Sequence, residues 1–186
     1  MKKILLVVVI IIFITLLLPL AIVWLIGGSG EGQSPIESGT VSVYVSEEDC
    51  VKDMDINEYL KCVVAAEMPA DFEEEALKAQ AVAARTYLYS HIAEKDKGNI
   101  AESHNGAAIC TDSTHCQAYI SEDKRRESWG AGAEENWNKI STAVDETTGQ
   151  IMTYNDEIIS AVFHSTSSGI TESAVDVWGA DVPYLQ

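Results

Sequence analysis

Basic residues are scarce in this chain: 12 lysines and arginines stand against 29 aspartates and glutamates in 186 residues, a net charge of −17. A nucleic-acid-binding surface needs basic side chains that displace counterions, and an anionic lipid surface attracts the same sign of charge. The composition argues against both functions. Hydrophobic residues make up 47% of the chain, too many for a disordered protein. The sequence indicates a folded domain that handles a neutral or weakly charged substrate, or a basic partner.

Acidic residues are also missing from the first 26 positions, where Lys2 and Lys3 precede an uncharged apolar run over residues 4–26. As a helix of about 1.5 Å per residue, this run reaches roughly 34 Å, enough to cross a bilayer core. The lysines predict a cytoplasmic stub, residues 1–3, with the rest of the chain outside the cytoplasm. A cleaved signal peptide is the alternative, although its apolar core is usually shorter. Residues 27–40 are rich in Gly, Ser, Pro and Glu, which predicts a flexible linker.

The remaining residues, 41–186, contain no internal repeat and alternate between strand and helix patterns. We expect an α+β fold in which helices and an antiparallel sheet form a catalytic domain with a substrate groove. Apolar periodicity and turn residues predict a strand over residues 41–45, helices over 55–68, 71–97 and 136–146, and a hairpin from strands 151–154 and 158–163. Asp55 is the predicted N-cap of the first helix, and Pro69 ends that helix.

Glu67 is the candidate catalytic acid, since it lies in the last turn of the first predicted helix among apolar neighbours. The negative potential of a helix C-terminus disfavours an ionised carboxylate, and desolvation by apolar side chains acts in the same direction. A general acid must hold its proton until the reaction, so this environment suits that role. The alternative is an ordinary surface acid, one among 29.

A second candidate site is formed by two histidines and two cysteines in a polar, irregular stretch: His104, Cys110, His115 and Cys116. Two imidazoles and two thiolates make a closed tetrahedral set of the kind that holds structural zinc. Adjacent ligands at 115 and 116 are unfavourable, because neighbouring side chains tend to diverge. A Cys110–Cys116 disulfide is the alternative outside the cytoplasm, and a third possibility is neither.

Polar and aromatic side chains elsewhere are candidates for binding sugar hydroxyl and acetamido groups. They are Gln80, Arg85, Gln117, Tyr119, His164, Ser165, Ser167 and Ser168. For Arg85 a buried ion pair is an equal alternative, and the serine-rich stretch can also be a polar turn after a strand. A serine hydrolase is disfavoured, because the chain has no G-x-S-x-G nucleophile elbow.

Four stretches of the chain resemble motifs of the stage II sporulation protein D family. They read EYLKCVVAAEMPA at residues 58–70, EALKAQAVAARTY at 75–87, QAY at 117–119 and FHSTSSG at 163–169. The resemblance covers residues 41–186, and an N-terminal membrane anchor is usual in that family. Family members usually continue well beyond the position of Gln186, so we expect the domain to be incomplete at its C-terminus. A glycine pair is usual after the serine loop, where this chain has Gly169 and Ile170.

The resemblance implies an extracytoplasmic lytic transglycosylase. Such an enzyme cuts the β-1,4 bond between N-acetylmuramic acid and N-acetylglucosamine in peptide-stripped glycan strands and leaves 1,6-anhydromuramic ends. The family's catalytic acid falls on Glu67, and similarity to clostridial relatives favours zinc at the histidine–cysteine set, with no cofactor required for the chemistry.

The implied setting is engulfment of the forespore, with the anchor in the mother-cell membrane facing the forespore. The implied partners are peptidoglycan glycan strands, the stage II sporulation protein P amidase and other engulfment proteins. The alternative function is a non-catalytic glycan-binding protein or an amidase enhancer of cell-wall remodelling.

Overall fold

The computed structural model of the chain describes residues 39–186 and, before them, Phe13 alone. The predicted membrane anchor over residues 4–26 and the linker up to residue 38 lie outside the described stretch. Among the described residues, no helix combines the length and the apolar character needed to span a bilayer.

A three-stranded sheet is built on the first predicted strand. β1 (Thr40–Val45) alternates buried valines with more exposed residues, as predicted, and pairs antiparallel with β2 (Cys50–Asp55), so that Thr40 faces Asp55 and Val45 faces Cys50. β3 (Ile109–Cys110) pairs parallel with β1 on its other side. The sheet is therefore mixed, which corrects the expectation of an antiparallel one. The chain reaches β3 through a long helix, and such a crossover permits parallel pairing.

The sequence predicted the two helices that follow β2 but did not predict β2 itself. α1 (Ile56–Glu67) begins at the N-cap Asp55, whose carboxylate accepts the backbone N–H groups of Asn57 and Glu58. It ends where Met68 takes an extended conformation before Pro69. α2 (Glu74–Asp96) begins three residues later than expected and ends before Gly98, whose φ of 86° favours glycine.

The second half of the described chain departs more from the predictions. α3 (Glu122–Trp129) was not predicted, and α4 (Ala133–Glu146) begins three residues before the predicted third helix. The expected hairpin is reduced to β4 (Thr153–Tyr154) and β5 (Glu157–Ile158). The predicted strand over 158–163 is wrong beyond residue 158, because the described residues offer it no further strand to pair with. Short 3₁₀ helices cover Glu102–His104 and Gly130–Gly132, and a last helix, α5, covers Ala174–Trp178.

One hydrophobic core joins the sheet to α1, α2 and α4. The apolar residues of α1 and α2 that face this core are buried. The core residues with no exposed surface are Val43, Leu60, Val63, Val64, Ala65, Leu77, Ala81, Ala84, Leu88, Ile109, Ile140, Ala143 and Val144. Burying a valine, leucine or isoleucine side chain contributes about 1.5–3 kcal/mol. This core fixes the C-terminal end of α1, where Glu67 lies.

Candidate functional site

Glu67 is the last residue of α1, and its side chain is half-buried. Its Oε1 accepts the backbone N–H of Ala118 at 2.7 Å, and Oε2 makes no hydrogen bond within residues 39–186. The carboxyl group is thus held in one orientation by a donor from a distant loop. A carboxyl with one fixed and one unengaged oxygen has the geometry of a group that gives a proton to a substrate oxygen.

The loop that carries Ala118 also carries two further predicted residues, one on each side of Ala118. Gln117 is 4% exposed, and neither atom of its side-chain amide has a partner in the part of the chain that the structure describes. Buried polar groups are normally hydrogen-bonded, so this enclosed and unpaired amide is an exception among the described residues. Tyr119 stacks on Tyr59 of α1, with ring centroids 5.8 Å apart and planes 17° apart.

The two predicted residues on α2 are both buried. Gln80 is 6% exposed, and its Nε2 has no partner in the described chain. Arg85 is 1% exposed and donates to Thr147 O at 2.6 Å, to Val144 O at 2.9 Å and, more weakly, to Asn57 Oδ1 at 3.5 Å. These main-chain oxygens belong to the C-terminal end of α4, and none of the bonds reaches Glu67 or a carboxylate. In this structure Arg85 therefore provides hydrogen-bond donors to carbonyl groups at the C-terminal end of α4.

The histidine–cysteine set does converge. One donor atom from each of His104, Cys110, His115 and Cys116 lies within 4.8 Å of the other three. His115 Nδ1 is 3.1 Å from His104 Nε2, 3.6 Å from Cys110 Sγ and 3.4 Å from Cys116 Sγ, and Cys116 Sγ is 3.2 Å from His104 Nε2. A tetrahedron of nitrogen and sulfur ligands around zinc has edges of about 3.3–3.8 Å. The donor set therefore fits a metal ion, and neither cysteine is in a disulfide.

A tight turn explains why neighbouring ligands converge. Asp112 O accepts the N–H groups of both His115 and Cys116, at 3.1 and 2.7 Å. The Asp112 carboxylate also caps the turn by accepting Thr114 N–H and Oγ1–H. This curvature turns both side chains to the same side, which the expectation of diverging neighbours did not allow for.

The pKa shifts of two cluster residues and a hydrogen bond to a third are also relevant to metal binding. Burial lowers the pKa of His104, which favours the neutral imidazole that a metal requires. Burial raises the pKa of the Cys116 thiol to about 11, so a metal ion must displace that proton to bind. Ser103 Oγ is 3.1 Å from His115 Nε2 and orients that ring with Nδ1 toward the cluster.

The serine loop lies at a different cleft. His164 and Ser167, with Trp178 and Tyr184, line a cleft of about 440 Å³ that neither Glu67 nor Gln117 borders. Ser165 and Ser168 are exposed and are not part of that lining. The structure therefore places Gln117 and Tyr119 on the loop whose Ala118 contacts Glu67, and it leaves the serine loop in a separate group.

Two features of the site were missed from the sequence. The Ala118 donor is a backbone N–H, which no residue type reveals. The second is a cleft of about 560 Å³ beside Tyr119, bordered by Met54, Thr111 and Lys124 but not by Glu67. Its lining comes from two stretches far apart in the chain, residues 45–54 and 111–124, and no local pattern connects them. An aromatic ring beside polar and charged groups is a suitable lining for a sugar.

Comparison with known proteins gives the family. The model of the stage II sporulation protein family matches residues 44–154. The chain is 38% identical to stage II sporulation protein D of Bacillus amyloliquefaciens over 154 residues, which are 83% of this chain and 43% of that protein. It is 38% identical to the Bacillus subtilis (strain 168) protein of the same name over 160 residues, 85% of this chain and 46% of that protein.

A third relative carries a different name. The amidase enhancer of Bacillus subtilis (strain 168) is 37% identical over 126 residues, which are 68% of this chain and 14% of that protein. The chain thus spans less than half the length of each of these curated relatives. The matched residues include Glu67, Gln117, Tyr119 and the histidine–cysteine cluster. The chain belongs to the stage II sporulation protein D family, a family of sporulation proteins.

Proposed function

We propose that this chain acts on peptidoglycan as a lytic transglycosylase during forespore engulfment, cutting the β-1,4 bond after N-acetylmuramic acid in peptide-stripped glycan strands. The observation that carries the proposal is the half-buried Glu67 carboxyl, held by the Ala118 N–H with its second oxygen unengaged. Family membership supports it, because the motif that contains Glu67 lies within the matched residues.

The chemistry needs one carboxyl group and the substrate. Protonated Glu67 gives its proton to the bridging oxygen as the bond from that oxygen to C1 of the muramic residue breaks. The C6 hydroxyl of the same sugar forms a new bond to C1 and gives its proton to the Glu67 carboxylate. The products are a free sugar hydroxyl and a 1,6-anhydromuramic end, and Glu67 is protonated again. No second carboxylate is needed, unlike in most glycosidases.

We propose zinc as the ion held by His104, Cys110, His115 and Cys116. Four protein ligands close its coordination shell, so the ion stabilises the fold and does not activate water. Elemental analysis of the purified protein tests this: about one equivalent of zinc is expected for a closed four-ligand site. Less than roughly a tenth of an equivalent would contradict it.

The setting that we propose follows the family. The domain lies outside the cytoplasm, anchored in the mother-cell membrane by residues 4–26, and works with the stage II sporulation protein P amidase, which strips the strands. The identity with an amidase enhancer favours one alternative, a glycan-binding protein that assists an amidase without cleaving glycans itself.

One experiment separates these functions. The purified full chain and its Glu67→Gln variant are incubated with peptide-stripped glycan strands, and the new ends are identified by mass spectrometry. Release of 1,6-anhydro ends by the parent chain alone supports the transglycosylase. Binding of strands by both proteins without any new ends supports the alternative.

A further inference from the structure

Only one residue separates Cys116, a member of the histidine–cysteine cluster, from Ala118, whose N–H donates to Glu67. Cys116 contributes a sulfur to the cluster, 3.2 Å from His104 Nε2. Ala118, two residues later, donates its N–H to Glu67 Oε1 at 2.7 Å. Two residues span at most about 7 Å. A displacement of Cys116 is therefore transmitted to the donor that orients Glu67.

The residue between them leaves little room to absorb such a displacement. Gln117 is 4% exposed, so its side chain is enclosed on all sides. The turn before it is closed by the bond from Cys116 N–H to Asp112 O, and the chain after it is fixed by the Tyr119–Tyr59 stack. Close-packed segments move as units, because their neighbours cannot compress.

Regular backbone pairing does not hold this loop. Residues 111–121 contain neither helix nor strand. At its start the loop is held to the sheet by Thr111, whose N–H donates to Tyr44 O at 3.0 Å. Beyond Thr111 it contacts the rest of the domain through His115 and Cys116, through Ala118, through the Tyr119–Tyr59 stack and through a long bond of 3.4 Å from Ile120 N–H to Cys62 O. A metal ion would link the loop to His104, on a different segment, by strong bonds. Without an ion, that connection consists of side-chain contacts of His104 with His115 and Cys116.

We infer that a metal ion in the cluster positions the Glu67 carboxyl by fixing the Ala118 N–H, so that Ala118 is a positioning residue and the ion acts on the acid from a distance. This inference rests on the metal site and the acid role proposed above. Coupling between two sites is reciprocal. If the ion strengthens the bond from Ala118 to Glu67, the acceptor on Glu67 must strengthen binding of the ion by the same factor.

Two substitutions of Glu67 separate this coupling from catalysis. Glu67→Gln removes the acid but keeps a side-chain oxygen that accepts the Ala118 N–H. Glu67→Ala removes both the acid and the acceptor. Zinc affinity is measured by competition with a chromophoric chelator under reducing conditions. We expect Glu67→Gln to bind zinc as the parent chain does, and Glu67→Ala to bind about fivefold to tenfold more weakly.

The matched control is Glu58→Ala, which removes an exposed acid from the same helix whose partner is Lys61, away from the loop. It should leave zinc affinity unchanged. Equal affinities for the alanine and glutamine variants at position 67 would overturn the inference. So would an equal loss in Glu58→Ala, because the effect would then come from destabilising α1.

Hydrogen exchange on the unaltered chain gives an independent test that does not depend on whether any variant folds. Removing zinc with a chelator should increase the exchange rate of the Ala118 amide by at least about tenfold, while amides in the centre of α2 remain protected. Unchanged exchange at Ala118 would overturn the inference even if zinc binds stoichiometrically. A chain that cleaves no glycan can still show both effects, so failure of the proposed activity is distinguishable from failure of the coupling.

Discussion

At the scale of single residues, Glu67 decides the proposed chemistry. Glu67→Gln keeps the volume of the side chain and its hydrogen bond from Ala118 but has no acidic proton. Since a positioned general acid contributes about 10²–10⁴-fold to rate, cleavage should fall by at least about a hundredfold. Release of 1,6-anhydro ends is measured by mass spectrometry, with Glu58→Gln as the control on the same helix. Near-parental cleavage by the Glu67 variant would refute the assignment.

For Arg85, a structural role and a substrate-binding role predict opposite effects of substitution on stability and on glycan binding. Its guanidinium satisfies main-chain oxygens of Val144 and Thr147 at the end of α4. Arg85→Leu removes two charge-assisted hydrogen bonds and leaves Thr147 O with only the Gln150 N–H and Val144 O with only the Thr147 hydroxyl, at a cost of about 1.5–3 kcal/mol for each bond lost. We expect urea denaturation to show a loss of at least about 2 kcal/mol in the free energy of unfolding. The exposed Lys97→Leu variant should change it little. Unchanged stability with impaired glycan binding would instead favour the substrate-binding role.

At the scale of elements, the start of α1 depends on one side chain. The Asp55 carboxylate accepts two of the N–H groups that the first turn leaves unpaired. Asp55→Ala should lower the free energy of unfolding by about 1 kcal/mol, and Asp55→Asn should lower it much less, because asparagine is an equally good N-cap. Thermal unfolding followed by circular dichroism measures both. Equal losses would show that the charge of Asp55, and not its cap geometry, matters.

The elements predicted from the sequence are those with strong local signals. α1 and α2 have apolar stripes, acidic first turns and a proline or glycine beyond their ends, and these signals do not depend on distant contacts. α3 has no buried residue and hence no stripe. It is stabilised by contacts such as the Arg126–Glu122 pair and the Arg125 guanidinium over Trp129. The predicted strand over 158–163 had a strand-like composition, but pairing depends on a partner that composition cannot supply.

In the candidate site, too, only the features that depend on local sequence signals were predictable. Spacing and residue type indicated the histidine–cysteine set, because its four members are the ligand types that zinc prefers. Glu67 was placed correctly at the end of α1, since Pro69 determines that end. The Ala118 donor and the cleft beside Tyr119 were not predictable, because both arise when segments far apart in the chain meet.

At the scale of the whole molecule, the metal ion should stabilise the fold. A ligand that binds only the folded state adds about 4 kcal/mol when present at a thousand times its dissociation constant. Zinc-loaded protein should therefore melt about 8 °C or more above the chelator-treated protein in reducing buffer, since each kcal/mol shifts Tm by roughly 2–4 °C for a domain of this size. Differential scanning calorimetry measures the difference. A Cys110→Ser/Cys116→Ser double variant should show none. An equal Tm for loaded and stripped parent protein would contradict a structural metal.

The acidic charge of the molecule predicts a preference among substrates. After residue 26, ten basic residues stand against 29 acidic ones. Undigested peptidoglycan carries several carboxylates on its stem peptides, so it should repel this protein, whereas stripped strands have lost these groups, keep only the lactyl carboxylate of each muramic residue and should repel it less. Asp123, Glu127 and Glu135 are exposed and make no ion pair within residues 39–186. Replacing all three by their amides should raise cleavage of undigested wall about twofold to fivefold at low ionic strength.

The same triple variant should cleave stripped strands at the parental rate, and this is the internal control for a change in the enzyme itself. Its advantage on undigested wall should disappear near 1 M salt, where the screening length falls to about 3 Å. Rates on both substrates are compared at low and high salt by counting new reducing or anhydro ends. An advantage that persists at high salt, or that extends to stripped strands, would show that the substitutions altered a contact. If the variant and the parent chain have the same ratio of the rate on undigested wall to the rate on stripped strands at low salt, surface charge plays no part in selecting the stripped strands.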